Sequence, residues 1–147
     1  MRFPITIKRA DLLKHEGAFK AALRCKKPDQ YRDSEWACVL GSAHRVTEAI
    51  FGATGEEITL SAFDWGTLEH LLGQAFKQRR TEKTAAAYQL LYHILRNDPK
   101  YKAFQERIGQ EETARREVEK LEAQLSEAKG KLQDVVHENR MKERTEE

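Results

Sequence analysis

The sequence of 147 residues has little cysteine, with only Cys25 and Cys38. A small chain held together by disulfides needs a larger set, so two cysteines exclude a disulfide framework of that kind. The first residues do not resemble a signal peptide, because Pro4 interrupts a short apolar segment that ends at Lys8 and Arg9. We therefore expect a cytoplasmic protein with both thiols free. Export by a route that reads no N-terminal signal stays open.

Long hydrophobic runs and metal-ligand motifs are also missing. No apolar run approaches the roughly 20 residues that cross a lipid bilayer, so we expect no membrane-spanning segment. The five histidines form no HxxxH or HExxH motif and no close pair with a cysteine. A zinc site takes about four ligands at regular spacing. The loop from Gly52 to Gly55 lacks the lysine of a phosphate-binding loop.

These absences bear on the class of function. An enzyme would need a cysteine or histidine that the fold assembles into a pocket, and no spacing in the sequence points to one. Six aromatic residues fall at helical spacing among leucines and alanines, which favours a core over a platform for stacked bases. They are Trp36, Trp65, Phe76, Tyr88, Tyr92 and Phe104. We expect a non-enzymatic protein with no catalytic residue, no metal site and no cofactor.

Charge is abundant and unevenly distributed. Charged residues make up 34% of the chain, whereas about 25% is typical of globular proteins. Residues 1–100 have a net charge of +4, and residues 101–147 have a net charge of −2 and hold much of the excess. The sequence predicts a mainly α-helical fold. A helical globular domain at residues 1–98 precedes a long charged helix at residues 99–147.

Residues 1–98 predict several helices and a small sheet. Residues 3–7 and 58–60 alternate apolar and polar side chains, which indicates two strands that could pair. Helical spacing predicts four helices, over residues 11–25, 34–51, 61–78 and 81–96. The last two have a short connection, so we expect an antiparallel helical hairpin. The residues suited to cap these helices are Asp11, Ser34, Ser61 or Asp64, and Thr81.

One long helix is predicted after Asp98, which can cap it, with Pro99 in its first turn. No proline interrupts the chain from there to residue 144. A continuous helix of about 46 residues would be about 69 Å long. Four pairs of opposite charge four residues apart would support it, each by about 0.2–0.5 kcal/mol. They are Glu111–Arg115, Glu112–Arg116, Glu127–Lys131 and Glu138–Lys142.

An apolar stripe on this helix has the spacing of a coiled coil. Its positions alternate steps of four and three residues, and Asn139 is the polar member. A helix with such a stripe and charges elsewhere has no core of its own, so we expect the stripe to pack on a partner helix. Asn139 suits a residue that sets register. The predicted coiled-coil interface is Ala114, Val118, Leu121, Leu125, Ala128, Leu132, Val135 and Asn139.

The charges beside the stripe disfavour one arrangement of two chains. In a parallel, in-register homodimer, Glu117 would face Glu122 and Glu138 would face Glu143, and both contacts are repulsive. An antiparallel pair, a different partner protein, and folding back onto the chain's own domain all stay open.

A basic cluster near the hairpin turn suggests another hypothesis, contact with nucleic-acid phosphates. A helix end also favours basic residues through its dipole without any ligand, and no helix-turn-helix pattern accompanies the cluster. The possible nucleic-acid-binding residues are Lys26, Lys27, Lys77, Arg79, Arg80 and Lys83.

We interpret the chain as an interaction or adaptor protein that self-associates, or docks a protein partner, through its C-terminal helix. The alternative is a small regulatory protein that binds nucleic acid and is dimerised by that helix. Neither interpretation involves a membrane.

Overall fold

The computed structural model describes residues 2–146, and residues 1 and 147, the outer ends of the two predicted domains, lie outside the described part. The fold is mainly α-helical with one two-stranded antiparallel sheet, as the sequence predicts. The chain divides into two compact units, Met1–Gln105 and Glu106–Glu147. In chain order the elements are β1 (Pro4–Lys8), α1 (Arg9–Leu13), α2 (Glu16–Ala22), α3 (Asp33–Phe51), β2 (Glu57–Ser61), α4 (Ala62–Gln78), α5 (Glu82–Arg96) and α6 (Pro99–Glu146).

The two predicted strands pair with each other. Ile7 lies opposite Ile58, and both are buried together with Ile5 on one face of the sheet. On the other face, the exposed hydroxyl groups of Thr6 and Thr59 are joined by a hydrogen bond of 2.7 Å. Two strands alone are marginal in water, so the sheet depends on its packing against the helices.

Helix α4 contributes much of the core of the first unit. It packs against α2, α3, α5 and β2. Trp65, Leu68 and Leu72 recur at helical spacing and are fully buried. The indole N–H of Trp65 donates a hydrogen bond of 2.9 Å to the carbonyl oxygen of Ile5, which connects the helix to β1.

The prediction of a single helix over residues 11–25 is wrong. The segment forms α1 and α2, separated by a turn at Lys14 and His15. The turn lies close to Gly17, a residue of low helix propensity. Strand β1 leads directly into α1 at Arg9, so Asp11 lies inside the first turn instead of capping it. The Arg9 guanidinium donates to the carbonyl groups of the last two residues of α3, at 3.1 and 3.2 Å.

Three predicted helix caps are confirmed. The side chains of Ser61 and Thr81 each accept a hydrogen bond of 3.2 Å from the N–H group three residues on. The Asp98 carboxylate accepts one of 2.8 Å from the N–H group two residues on, at the start of α6. The prediction for α3 is wrong, because that helix begins at Asp33 and Ser34 lies within it.

The first turns of α6 belong to the first unit. Tyr101 is buried, and Phe104 is half-buried against the core, with its ring centre 5.8 Å from that of Phe3. The first unit therefore includes the first turns of α6 and extends to Gln105.

Candidate functional site

The predicted coiled-coil stripe is exposed along α6. All eight of its residues are exposed, including Ala114, Ala128 and Asn139. The five large apolar side chains have exposed fractions between 52% and 64%. Exposed apolar surface of this regularity is typical of an interaction site. The five are Val118, Leu121, Leu125, Leu132 and Val135.

The rest of α6 stabilises the helix without using the stripe. Ion pairs four residues apart join Arg107 to Glu111 at 3.4 Å, Glu112 to Arg116 at 3.0 Å, and Glu127 to Lys131 at 3.5 Å. The last two of these pairs are predicted from the sequence. Glu111 instead pairs with Arg107, four residues before it, and not with the predicted Arg115. Such exposed pairs contribute about 0.2–0.5 kcal/mol each. The apolar side chains remain available for a partner.

Three of the predicted nucleic-acid-binding residues, Lys26, Lys27 and Arg79, line one cavity together with Arg24. We call it the basic cavity; its volume is about 880 Å³. Gln78 joins its two sides. Its side-chain amide donates a hydrogen bond of 2.5 Å to the carbonyl oxygen of Lys26 and accepts one of 2.7 Å from the N–H of Lys26. These two hydrogen bonds hold the loop that follows α2, which contains Lys26 and Lys27, beside the end of α4.

Acidic groups neutralise only part of the basic cavity. Lys27 donates a hydrogen bond of 2.7 Å to Asp33, which lowers the pKa of the Asp33 carboxyl group. Asp29 lines the same cavity. Arg24 and Arg79 form no ion pair with any residue in the described part of the chain. The cavity therefore retains an excess of positive charge.

The other predicted basic residues point elsewhere. Lys77 and Arg80 line a separate groove of about 490 Å³, where the Arg80 guanidinium lies 5.9 Å from the ring centre of Phe76. Lys83 lines a third depression, with Lys14. The side chains of a helix follow a period of 3.6 residues, so neighbours in the sequence face different directions. The structure divides the predicted cluster into three parts.

A buried polar cluster that sequence reasoning missed lies in the groove of Lys77 and Arg80. Glu69 is 6% exposed and accepts two hydrogen bonds from the Arg96 guanidinium, at 2.9 and 3.2 Å. The hydroxyl group of Tyr101 donates to the same carboxylate at 3.1 Å. The cluster therefore ties together α4, α5 and the first turn of α6.

The pKa values of Tyr101 and Arg96 are both raised, which keeps the two groups in the protonated forms that donate hydrogen bonds to Glu69. Burial and the negative charge of Glu69 raise the pKa of the Tyr101 hydroxyl, so this group stays protonated and donates. Burial of Arg96 favours its neutral form, but the hydrogen bonds and negative charge of Glu69, together with Tyr101, outweigh that effect and raise the guanidinium pKa. Both carboxylate oxygens of Glu69 are occupied by these partners. The arrangement therefore fixes the orientation of the three side chains within the groove.

The sequence contains one indication that Glu69 is buried. It lies four residues after Trp65 and three before Leu72, which places it on the buried face of α4. A charged residue at such a position needs a partner, since isolated charges are seldom buried. The sequence does not show which residue supplies it.

His70, the neighbour of Glu69, interacts with a different residue. Its Nε2 atom lies 2.7 Å from the hydroxyl oxygen of Tyr31, and the Tyr31 ring is 5.3 Å from that of Trp36. Partial burial and the positive charge of Lys77 lower the pKa of His70, against the opposing effect of Glu69. The imidazole is therefore neutral at pH 7 and can accept the Tyr31 hydrogen bond.

Both cysteines have free thiols. Cys25 is half-buried, and burial raises the pKa of its thiol, which reduces the thiolate fraction that reacts. Cys38 is exposed. Among residues 2–146, no three histidine, cysteine or carboxylate side chains come close enough to hold a metal ion. None of the described helices combines the length and apolar character needed to cross a bilayer.

The fold and these surfaces define a mainly α-helical protein with a small antiparallel sheet and a long helix that bears an exposed apolar stripe. No protein-family model, no curated protein and no solved structure matches the chain. Its function is therefore inferred from its own surfaces.

Proposed function

We propose that this chain is a non-enzymatic interaction protein that associates through the apolar stripe of α6. The observation that supports this function is the exposure of Leu121, Leu125 and Leu132 at 63%, 56% and 64%. Fully burying a leucine side chain is worth about 1.5–3 kcal/mol, so three of them on one face favour association with another helix. The 4-3 spacing of the stripe matches the geometry by which one helix packs along another.

A double substitution within the stripe tests this function. Leu125→Asp with Leu132→Asp places two carboxylates at the centre of the proposed contact, where burying a charge is costly. Sedimentation of the full chain at two concentrations should show that association is lost. Near-ultraviolet circular dichroism should show that the first unit remains folded.

The matched control introduces the same charges on the other side of α6. Ala123→Asp with Gln133→Asp changes two residues that lie outside the stripe and are exposed. This variant should associate like the wild-type chain. Unchanged association of the leucine variant would exclude the stripe as the interface.

The basic cavity supports a second candidate function, the binding of nucleic acid by a chain that α6 dimerises. Arg24, Lys26 and Arg79 together provide positive charge around one concave surface. Phosphate contacts by such residues supply most of the affinity of nonspecific binding and weaken as salt is added.

Two double variants with the same change in charge distinguish binding in the basic cavity from a general effect of the net charge of the chain. Lys26→Glu with Arg79→Glu alters the basic cavity, whereas Lys77→Glu with Arg80→Glu makes the same change in the neighbouring groove. Binding to DNA and RNA duplexes and single strands should be measured over a series of salt concentrations. The first variant should lose binding, and the second should keep most of it. Absence of binding by the wild-type chain at low salt would contradict this second function.

A further inference from the structure

We propose that the stripe binds a second copy of this chain in antiparallel orientation, with Leu125 of one copy facing Ala128 of the other. This inference rests on the proposed function of α6, and it specifies both the partner and the alignment. It follows from the sizes of the stripe residues and from the charges beside them.

The sizes of the stripe residues complement one another when the two helices run in opposite directions. In antiparallel coiled coils each a position packs level with a d position of the other helix. When the midpoints of the two stripes are aligned, Leu125 of one copy lies level with Ala128 of the other. In the same way, Leu121 lies level with Leu132, and Val118 lies level with Val135. Each of the two central layers then contains one leucine and one alanine, and large residues facing small ones pack without voids.

Parallel alignment distributes the same residues less evenly. Every stripe residue then meets its own copy, so Ala128 faces Ala128 between layers that contain only Leu125 or Leu132. A layer of two alanines next to layers of paired leucines leaves unfilled space, which costs packing energy.

The flanking charges favour the antiparallel pair as well. In that alignment Glu122 of each copy lies near Lys129 of the other, which gives two attractive contacts. Glu117 lies near Glu138, which gives two repulsive ones. In the parallel alignment, all four contacts between charged flanking residues are repulsive, as Glu117 meets Glu122 and Glu138 meets Glu143.

Asn139 is the one stripe residue that favours the parallel pair. Two asparagines facing each other at this position could satisfy their amides mutually. In the antiparallel pair Asn139 lies level with Ala114, at the outermost layer, where water can reach its amide. The lost amide pair is therefore compensated by solvent, whereas a void at Ala128 is not.

The two side chains that make the attractive contacts are available for them. Glu122 and Lys129 are exposed, and neither forms an ion pair with another residue in the described part of the chain. The residues four positions away from each are uncharged. A charge change at either position therefore leaves the ion pairs within α6 intact.

Charge reversal at these positions tests the orientation in the full chain. Glu122→Lys alone should weaken dimerisation about ten-fold, because two attractive contacts become Lys–Lys repulsions. Lys129→Glu alone should weaken it by a similar factor through Glu–Glu repulsion. An equimolar mixture of the two variants should form heterodimers at least as stable as the wild-type dimer, since both contacts become attractive again. The dissociation constants are measured by sedimentation, with one variant fluorescently labelled in the mixture.

The parallel orientation predicts the opposite result for the first variant. Glu122→Lys would then face Glu117 and tighten the dimer, and mixing would bring no gain. Either result overturns the inference. Glu119→Lys is the matched control, because it makes the same charge change on the outward side of α6 and should leave the antiparallel dimer unchanged.

The failure of this inference can be distinguished from failure of the proposed function. If the wild-type chain stays monomeric at all accessible concentrations, the inference that the stripe binds a second copy is contradicted. A dimer that persists after Leu125→Asp with Leu132→Asp overturns the stripe itself, and with it the proposed function.

Discussion

The apolar residues of this chain fall into two groups that follow the same helical spacing and differ in what covers them. In the first unit, Trp65, Leu68 and Leu91 are 0% exposed, because neighbouring elements of the same chain cover them. In the second unit, Leu121 and Leu132 are 63% and 64% exposed. Apolar periodicity thus selects the face of a helix, but it does not determine whether the covering surface comes from the same chain.

This difference determines which measurement responds to a substitution. Core substitutions in the first unit change the unfolding free energy of one chain, independent of protein concentration. Substitutions in the stripe change an association equilibrium, which depends on concentration by mass action.

Trp65→Ala should destabilise the first unit by about 3–5 kcal/mol, since it opens a large cavity in the core. It also removes the hydrogen bond to the Ile5 carbonyl oxygen. Urea unfolding followed by the fluorescence of Trp36 measures the loss. Leu121→Ala, at the same low protein concentration, should leave this unfolding transition unchanged. Equal losses in both variants would contradict the division into two groups.

Glu69→Ala should destabilise the first unit by about 1–3 kcal/mol, because Arg96 and Tyr101 lose their common acceptor. Removing one member of a fully buried ion pair would cost more, but the Arg96 side chain is 33% exposed and water can replace part of the interaction. Glu48→Ala, at an exposed position of α3, is the control and should have little effect. Comparable unfolding midpoints for the two variants would show that the cluster contributes no stability.

Acidification should produce the smallest effect. The pKa of His70 is lowered from its ordinary value of 6.5 in the folded chain, so the unfolded chain takes up this proton more readily. The stability contributed by the neutral ring is present above pH 6.5 and is lost as the pH falls through the lowered pKa. An NMR titration of His70 in the folded protein should give a midpoint below 6.5. A midpoint at or above that value would contradict the assignment.

Local rules predicted much of the fold. The existence of each strand, the helices α4 and α5, and the caps at Ser61, Thr81 and Asp98 depend on residues close in the sequence. The break between α1 and α2 was not predicted, because apolar spacing continues across it, from Leu12 to Phe19. Apolar spacing does not encode a turn between two short helices.

The candidate surfaces were predicted less completely, since they depend on contacts between distant parts of the chain. Gln78 holds Lys26 across 52 residues, which brings Lys26 and Arg79 to one cavity while Lys77 faces away. Glu69 likewise finds its partner in Arg96, which is 27 residues away. Sequence spacing orders residues around one helix, but it cannot assign partners on another.

The most direct test of the stripe as the assembly element is the solution mass of the full chain compared with that of residues 1–108. Light scattering at two protein concentrations should show a full chain that shifts from monomer to dimer, and a truncated chain that is monomeric at both. A truncated chain that still dimerises would locate the interface in the first unit. A full chain that is monomeric at both concentrations would contradict self-association through α6.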